Sequence, residues 1–110
     1  MYVVKKNKYR NKKVIYNGIK FDSLKEQSRY CELKLLERAG VISELKTQVS
    51  FVLIDKSKWG RVIKYVADFT YVESGNMIVE DVKSSATKTP LYRLKKRLMA
   101  ERYGIEIKEV

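Results

Sequence analysis

The chain has 110 residues, of which 24 are Lys or Arg and 13 are Asp or Glu, so its formal net charge is +11. This length builds one domain around a single core, and an apolar share of 45% is too high for a disordered chain. The absence of histidine and the single cysteine, Cys31, exclude His-dependent nucleophile systems, His-ligated zinc and an internal disulfide. The single cysteine favours a reducing compartment, and we expect the cytoplasm. The longest nearly apolar run, residues 49–54, is far too short for a membrane span.

The N-terminal part is predicted to be a flexible arm followed by a β-hairpin. Residues 1–12 carry few apolar side chains, so we expect a flexible basic arm there and a single domain over residues 13–110. Asn17 and Gly18 divide two short apolar runs and supply the two positive-φ positions of a type I′ turn. This pattern predicts a hairpin over residues 14–21.

The rest of the chain carries alternating helix and strand signals. Ser23 and Glu26 have the spacing of a capping box and predict a helix that ends at Gly40. Pro90 and Gly104 delimit a second helix, whose apolar face is expected to be core. That face contains Leu91, Leu94 and Leu98, with Tyr92 nearby. Strands are predicted over residues 49–54, 61–73, 77–83 and 105–110. The order predicts an α/β fold, more narrowly α+β, with a mainly antiparallel centre.

The basic residues are concentrated in two blocks. Residues 1–13 hold six basic side chains and no acid, and residues 88–102 hold six more with one acid. Such blocks gain affinity for polyanions by releasing phosphate counterions, so we expect a nucleic acid partner; the alternative is a solubilising surface. The residues expected to contact it are Lys5, Lys6, Lys8, Arg10, Lys12, Lys13, Lys88, Lys95, Lys96 and Arg102.

The predicted hairpin over residues 61–83 brings two carboxylates together. A loop at Ser74-Gly75 places Asp68 directly opposite Asp81, with Cβ atoms ~5 Å apart. A loop shifted by one residue places Asp68 opposite Lys83 instead. Both registers put Asp68, Asp81 and Lys83 on one face of the sheet.

This trio has a chemical and a structural interpretation. Paired carboxylates repel each other unless a cation lies between them, and Mg²⁺ or Mn²⁺ would leave positions for a phosphate oxygen and an attacking water. Lys83 would then steer the water or offset the charge that grows on the phosphorus centre. The alternative is an ion pair of one Asp with Lys83 while the other Asp is solvated.

Two glutamates near the trio need separate interpretations. Glu80 points to the opposite face from Asp81, and we expect a solvated or helix-facing charge. Glu26 either caps its helix or, on one stripe with Tyr30 and Leu33, leans toward the carboxylate pair.

These residues carry a resemblance to a known superfamily. Ala67-Asp68 followed by Asp81-Val82-Lys83 resembles the PD-(D/E)XK nuclease signature. The wider pattern consists of Gly-Ile-Lys-Phe-Asp-Ser-x-x-Glu at 18–26, Ala-Asp-Phe-x-Tyr at 67–71, Val-Glu-Asp-Val-Lys at 79–83 and Leu94-Lys95-x-Arg97. Together the blocks are similar to small phage and prophage endonucleases, including junction-resolving enzymes, over about residues 9–110. Ala67 stands where the motif has proline, and Asp81 where glutamate is more usual.

The resemblance implies a restriction-endonuclease-like αβββαβ core with a central mixed sheet, and hydrolysis of DNA phosphodiesters with Mg²⁺, for which Mn²⁺ substitutes. It implies metal binding by Asp68, Asp81 and the backbone carbonyl of Val82, with Glu26 as a further ligand and Lys83 as the catalytic lysine. Gln48 would line the site; its alternative is an ordinary polar residue at the start of a strand. The loop 84–89 and the basic face of the second helix would contact the DNA backbone.

The expected substrate within this class is branched DNA, which makes the protein a Holliday junction resolvase acting in a host bacterial cell. Two symmetric cuts then require a homodimer, with the N-terminal hairpin contributing to the interface or packing on its own chain. No membrane or small-molecule cofactor is expected. The alternatives are a nicking or restriction-type nuclease acting on duplex, and a catalytically inert nucleic-acid-binding module.

Overall fold

The structure, a computed structural model, describes residues 2–6 and 12–110. The elements within these ranges are β1 (Tyr2–Lys6), β2 (Lys12–Tyr16), β3 (Ile19–Phe21), α1 (Leu24–Arg38), β4 (Ser43–Ile54), β5 (Ile63–Glu73), β6 (Asn76–Asp81), α2 (Pro90–Tyr103) and β7 (Lys108–Glu109). A short 3₁₀ turn at Ser85–Thr87 precedes α2. In this part of the chain, no helix is both long enough and apolar enough to cross a membrane.

The strands form two sheets, and the fold is α+β as predicted. β1, β2 and β3 make an antiparallel N-terminal sheet, and β4, β5, β6 and β7 make a second sheet in that order. β7 runs parallel to β6 while the other neighbours are antiparallel, so the second sheet is mixed. From α1 onward the order is helix, three strands, helix, strand, which is the expected αβββαβ core.

Local backbone signals place most element ends where they were predicted. Asn17 (φ 52°) and Gly18 (φ 76°) form the turn between β2 and β3. The Ser23 hydroxyl accepts a hydrogen bond from the Glu26 backbone N–H at 3.1 Å and begins α1. Gly40 (φ 81°) and Gly104 (φ 66°) follow the two helices in the left-handed conformation that favours glycine.

The expectation of a flexible arm is wrong for residues 2–6. These residues form β1, which pairs antiparallel with β2 from Tyr2 opposite Tyr16 to Lys6 opposite Lys12. The physical reason is that Tyr-Val-Val is a strand-forming run and β2 offers it a free edge. Lys12, at the end of the predicted arm, begins β2. Residues 1 and 7–11, which include Lys8 and Arg10, lie outside the described residues.

Several strand bounds differ from the predicted ones. β4 begins at Ser43 rather than at residue 49. The sequence pattern missed its first half because that half carries polar side chains and two positive-φ residues, Glu44 (φ 55°) and Gln48 (φ 53°), which interrupt strand alternation. β5 begins at Ile63, and β6 ends at Asp81. β7 is two residues long, Lys108–Glu109, and the preceding Ile105 and Ile107 pack into the apolar core.

Two apolar clusters hold the layers together. The first joins the N-terminal hairpin and α1 to one face of the large sheet, through Val14, Phe21, Tyr30, Leu33, Ile42, Phe69 and Tyr71. The second joins α2 to the opposite face, through Leu53, Tyr65, Ala67, Val79, Tyr92, Met99 and Ile107.

The predicted core face of α2 is only partly correct. Leu98 and Tyr92 pack into the second cluster, but Leu91 and Leu94 are exposed. Tyr92 and Met99, seven residues apart, occupy the inward stripe, so the neighbouring stripe that starts at Leu91 turns outward.

Candidate functional site

The turn at Ser74-Gly75 brings Asp68 and Asp81 together. Both turn residues have positive φ, and Glu73 pairs with Asn76 while Phe69 pairs with Glu80. Continuing this register by one step places Asp68 opposite Asp81, which is the first of the two predicted arrangements. Asp68 Oδ2 also accepts a hydrogen bond from the Val82 backbone N–H at 2.9 Å, which fixes the carboxylate beside the end of β6.

Asp81 and Lys83, which share a face of the sheet, are in direct contact. Asp81 is 3% exposed, and its Oδ2 lies 3.2 Å from Lys83 Nζ. The same oxygen accepts a hydrogen bond of 2.7 Å from the Tyr65 hydroxyl. The Lys83 ammonium lies 4.3 Å from the centroid of the Tyr92 ring, so its position is set by a carboxylate and an aromatic face together.

Tyr65 was not predicted as a site residue, because regular strand alternation directs it away from Asp68. The alternation breaks near Asp68: Phe69 packs in the cluster of α1, whereas Tyr65 packs in the cluster of α2. The β4 residue between the pairs Thr47–Phe69 and Val49–Ala67 is Gln48, whose positive φ marks the same irregularity. The available signal was a tyrosine in an apolar strand, since a buried Tyr hydroxyl usually finds a partner.

Glu26 faces the trio from α1 rather than only capping its helix. It is 3% exposed, and its Oε1 accepts a hydrogen bond from Gln48 Nε2 at 3.2 Å. Its Oε2 accepts from the Asp22 backbone N–H at 3.4 Å. Gln48 therefore belongs to the site as a residue that holds Glu26. The open cleft between these elements, of about 280 Å³, is lined by Asp22, Ser23, Glu26, Asp68, Val82, Lys83 and Thr87.

The cleft concentrates negative charge in a partly desolvated place. Burial, reinforced by the hydrogen bond and charge of Asp81, raises the pKa of Asp68 to about 8. Burial, with the neighbouring Asp22 carboxylate, raises the pKa of Glu26 to about 7. Both shifts mean that the carboxylates have too little positive charge around them, although Lys83 contributes one cation.

The donor set fits a hard divalent cation held by few protein ligands. Across residues 2–6 and 12–110, no group of three or more Asp, Glu, His or Cys side chains encloses a possible metal position. The pair Asp68 and Asp81 remains, with Glu26 beyond it. Mg²⁺ is commonly bound through one or two carboxylates and keeps several waters, so this pair is the donor set that would hold it. Ligation by the Val82 carbonyl stays a prediction.

Glu80 is not solvated; the helix-facing alternative is correct. Its side chain is completely buried, and its two oxygens accept hydrogen bonds from Arg29 Nε and Nη2 at 2.7 and 2.8 Å. The Tyr71 hydroxyl donates to it as well. Glu80 therefore links β6 to α1 on the face of the sheet opposite Asp81.

The basic residues of α2 and of the loop before it divide into paired and site-facing ones. Lys88 and Lys96 contact Glu109 at 3.2 and 3.4 Å, and Arg102 lies 3.5 Å from Asp55. Lys95 instead lines a groove beside Asp81 and Lys83. In the N-terminal block, Lys13 lies 3.2 Å from Asp22.

A family described as "Protein of unknown function (DUF1064)" matches residues 6–109, and the chain belongs to this family. No curated protein and no solved structure matches the chain.

The carboxylate pair predicts a pH-dependent gain in stability from Asp68→Asn. In the metal-free protein the pKa of Asp68 is about 8 when folded and about 3.8 without its environment. The folded state therefore binds the proton more tightly, and stability falls as pH rises from about 4 to about 8. We expect Asp68→Asn to unfold several degrees higher than wild type at pH 8 in EDTA, and at the same temperature at pH 4.

Thermal unfolding followed by circular dichroism checks this expectation. Mg²⁺ at pH 8 should raise the midpoint of the wild type and leave that of Asp68→Asn unchanged. Asp55→Asn, at an exposed carboxylate, is the matched control and should show neither effect. Equal midpoints for wild type and Asp68→Asn at pH 8 would contradict the charge repulsion.

Proposed function

We propose that the protein is a metal-dependent DNA endonuclease of the PD-(D/E)XK type that cuts branched DNA as a Holliday junction resolvase. The observation that carries the proposal is the grouping of Asp68, Asp81 and Lys83. Asp68 and Lys83 line the open cleft together with Glu26 from α1, and Lys83 lies 3.2 Å from the buried Asp81. The trio comes from two strands of one hairpin, and Glu26 comes from a separate helix.

The roles of these residues follow from their positions. Asp68 and Asp81 would hold Mg²⁺, which when bound supplies Lewis-acid polarisation of the phosphodiester and a more acidic attacking water. Lys83 is held 3.2 Å from Asp81, where its ammonium offsets the charge that develops on the phosphate oxygens. Glu26, fixed by Gln48, orients the attacking water from the α1 side of the cleft. Tyr65 fixes one oxygen of Asp81.

The charge distribution supports DNA as the substrate. The net charge is +11, and a groove bordered by Lys64 and Lys95 leads away from Asp81 and Lys83. A phosphate backbone lying in this groove would meet both lysines and displace counterions. Lys88 and Lys96 already contact Glu109, so we assign them a weaker contribution than Lys95.

This difference between the lysines is testable. We expect Lys95→Ala to weaken DNA binding and to reduce the slope of log K against log[salt] by roughly 0.9, the value of one lost duplex phosphate contact. Lys96→Ala should reduce the slope by less, because Glu109 already offsets its charge. Lys34→Ala, whose ammonium contacts Glu37 on α1, is the control and should leave the slope unchanged. Fluorescence anisotropy with labelled junction DNA at several salt concentrations measures all three slopes. A slope for Lys95→Ala equal to that of the wild type would mean that Lys95 contacts no phosphate.

The deciding experiment is a cleavage assay on a labelled four-way junction and a sequence-matched duplex, each with Mg²⁺ or EDTA. We expect Mg²⁺-dependent cutting of the junction at symmetric positions. Equal cutting of both substrates would favour a nicking or restriction-type nuclease. Binding without cutting under any metal condition would favour an inert nucleic-acid-binding module.

The homodimer remains a proposal that rests on the need for two symmetric cuts. Val14 and Phe21 of the N-terminal hairpin are buried against α1 of the same chain. The inner face of this hairpin is therefore already covered, and a dimer would use another surface.

A further inference from the structure

The connection between β4 and β5 presents a highly exposed tryptophan. Trp59 is the chain's single tryptophan and is 86% exposed. Its position is defined, because Ser57 and Gly60 exchange backbone hydrogen bonds of 3.1 and 3.2 Å and the Trp59 N–H donates to the Ser57 hydroxyl. We call residues 55–62 the hairpin tip.

The surroundings of this indole are cationic. Residues 55–64 contain Lys56, Lys58, Arg61 and Lys64 against one acid, Asp55, which lies 3.5 Å from Arg102. The Lys58 ammonium lies 4.8 Å from the Trp59 ring centroid. An exposed aromatic ring among cations is the combination that single-stranded and unstacked nucleic acids bind, through base stacking and phosphate contacts. A second copy of this chain would bring the same cations and a net charge of +11, so charge argues against self-association at the tip.

The tip lies within reach of the candidate site along the same DNA. Nine residues separate Trp59 from Asp68, which limits their distance to about 32 Å at about 3.6 Å per residue. This is less than one turn of duplex, about 34 Å. The groove bordered by Lys64 and Lys95 opens beside Asp81 and Lys83, and Lys64 belongs to the strand that leads back to the tip.

We propose that Trp59 stacks on an accessible base of the bound DNA and selects substrates with unstacked bases, such as a branch point, over continuous duplex. In a continuous duplex each base already stacks on both neighbours, so inserting an indole requires unstacking. At a branch point or in a single strand a base face is free, and the stack forms without that penalty. The inference rests on the proposed function, because it names the feature of DNA that the same enzyme selects.

The experiment measures binding without metal, so that it does not depend on cleavage. Trp59 is the natural probe: in EDTA, its fluorescence should be quenched by a four-way junction and much less by the matched duplex. With labelled DNA, Trp59→Ala should bind the junction about tenfold more weakly, which is the loss expected for one base–aromatic stack. Its affinity for the duplex should equal that of the wild type. Trp59→Phe should keep most of the junction affinity.

A matched control separates stacking from general surface effects. Met77 is an exposed apolar residue at the β5–β6 end of the sheet, and Met77→Ala should bind both DNAs like wild type. An unchanged affinity of Trp59→Ala for the junction, or an equal loss for junction and duplex, would overturn the inference. The inference would also be overturned if light scattering showed a dimer for the wild type and a monomer for Trp59→Ala while the junction affinity was unchanged.

The two proposals fail in different ways. A protein that never cuts DNA with Mg²⁺ but still prefers the junction through Trp59 would refute the nuclease and support the stacking role. If Trp59→Ala and the wild type cut the junction at the same rate at DNA concentrations below the wild-type Kd, the result would support the nuclease and refute the stacking role.

Discussion

Asp68→Asn, Asp81→Asn and Lys83→Ala are each expected to lower Mg²⁺-dependent cleavage of junction DNA by about 10²-fold or more, the loss typical for removing one group that stabilises developing charge. Each carboxamide removes the negative charge of one of the two ligands proposed for Mg²⁺ and so should weaken its binding. The alanine removes the ammonium that lies 3.2 Å from Asp81. Junction affinity in EDTA should stay within about twofold, because these groups are not phosphate clamps. A radiolabelled or fluorescent cleavage assay under single-turnover conditions measures the loss.

The control for this experiment has to be a carboxylate outside the site. Glu80→Gln is unsuitable, although Glu80 faces away from the cleft, because its buried carboxylate is bonded to Arg29. Glu106→Gln changes an exposed side chain and should cut at the wild-type rate. Wild-type cutting by any of the three site variants would remove that residue from the mechanism.

Predictions from sequence are correct where the residues of a short segment determine its own backbone conformation. Asn17-Gly18 sets a two-residue turn, Ser23 and Gly40 delimit α1, and Pro90 and Gly104 delimit α2. The carboxylate pair was found for the same reason: the turn at Ser74-Gly75 fixes the register of the two strands, and the register fixes which residues face each other.

The predictions are wrong where a distant part of the chain determines the local structure or burial. The start of β4 depends on pairing with β5, since Glu44 and Gln48 have positive φ that no local pattern indicates. The inward stripe of α2 is selected by the sheet, which receives Tyr92 rather than Leu91. Burial of a charge such as Glu80 depends on a partner elsewhere in the sequence.

The same distinction applies to the site. Asp68, Asp81 and Lys83 lie on one hairpin and follow from strand alternation. Tyr65 reaches Asp81 only because that alternation breaks near Asp68, and Gln48 reaches Glu26 from an irregular strand. Trp59 had a readable signal, a lone tryptophan in a basic run, but no periodicity marks a loop residue as exposed.

The largest effect on stability is expected from Arg29→Ala, at about 3–5 kcal/mol of unfolding free energy, the range for breaking a buried ion pair by removing one partner. Arg29 binds both oxygens of Glu80, which is completely buried. Burial alone would raise the pKa of Glu80, but hydrogen bonds from Arg29 and Tyr71 outweigh it, and the pKa lies below its ordinary value. Without Arg29, the buried carboxylate either stays charged without its ion-pair partner or takes up a proton, and both outcomes cost stability.

Urea unfolding at pH 7 measures the loss, and two further variants locate its cause. Lys34→Ala breaks a surface pair with Glu37 on the same helix and should cost less than about 1 kcal/mol. Arg29→Met combined with Glu80→Gln removes both charges while keeping an acceptor for the Tyr71 hydroxyl. It should recover a large part of the stability, because the penalty comes from the unpaired charge rather than from the missing attraction.

The pair also connects the two halves of the site. Arg29 lies three residues after Glu26 on α1, and Glu80 directly precedes Asp81 on β6, so the ion pair fixes the distance between the α1 carboxylate and the sheet carboxylates. The double variant should therefore fold but cut more slowly than wild type. Single-turnover cleavage at saturating Mg²⁺ tests this expectation at a temperature where the double variant is fully folded. An unchanged rate would mean that apolar packing of α1 against the sheet, through Tyr30 and Leu33, positions Glu26 without help from the buried pair.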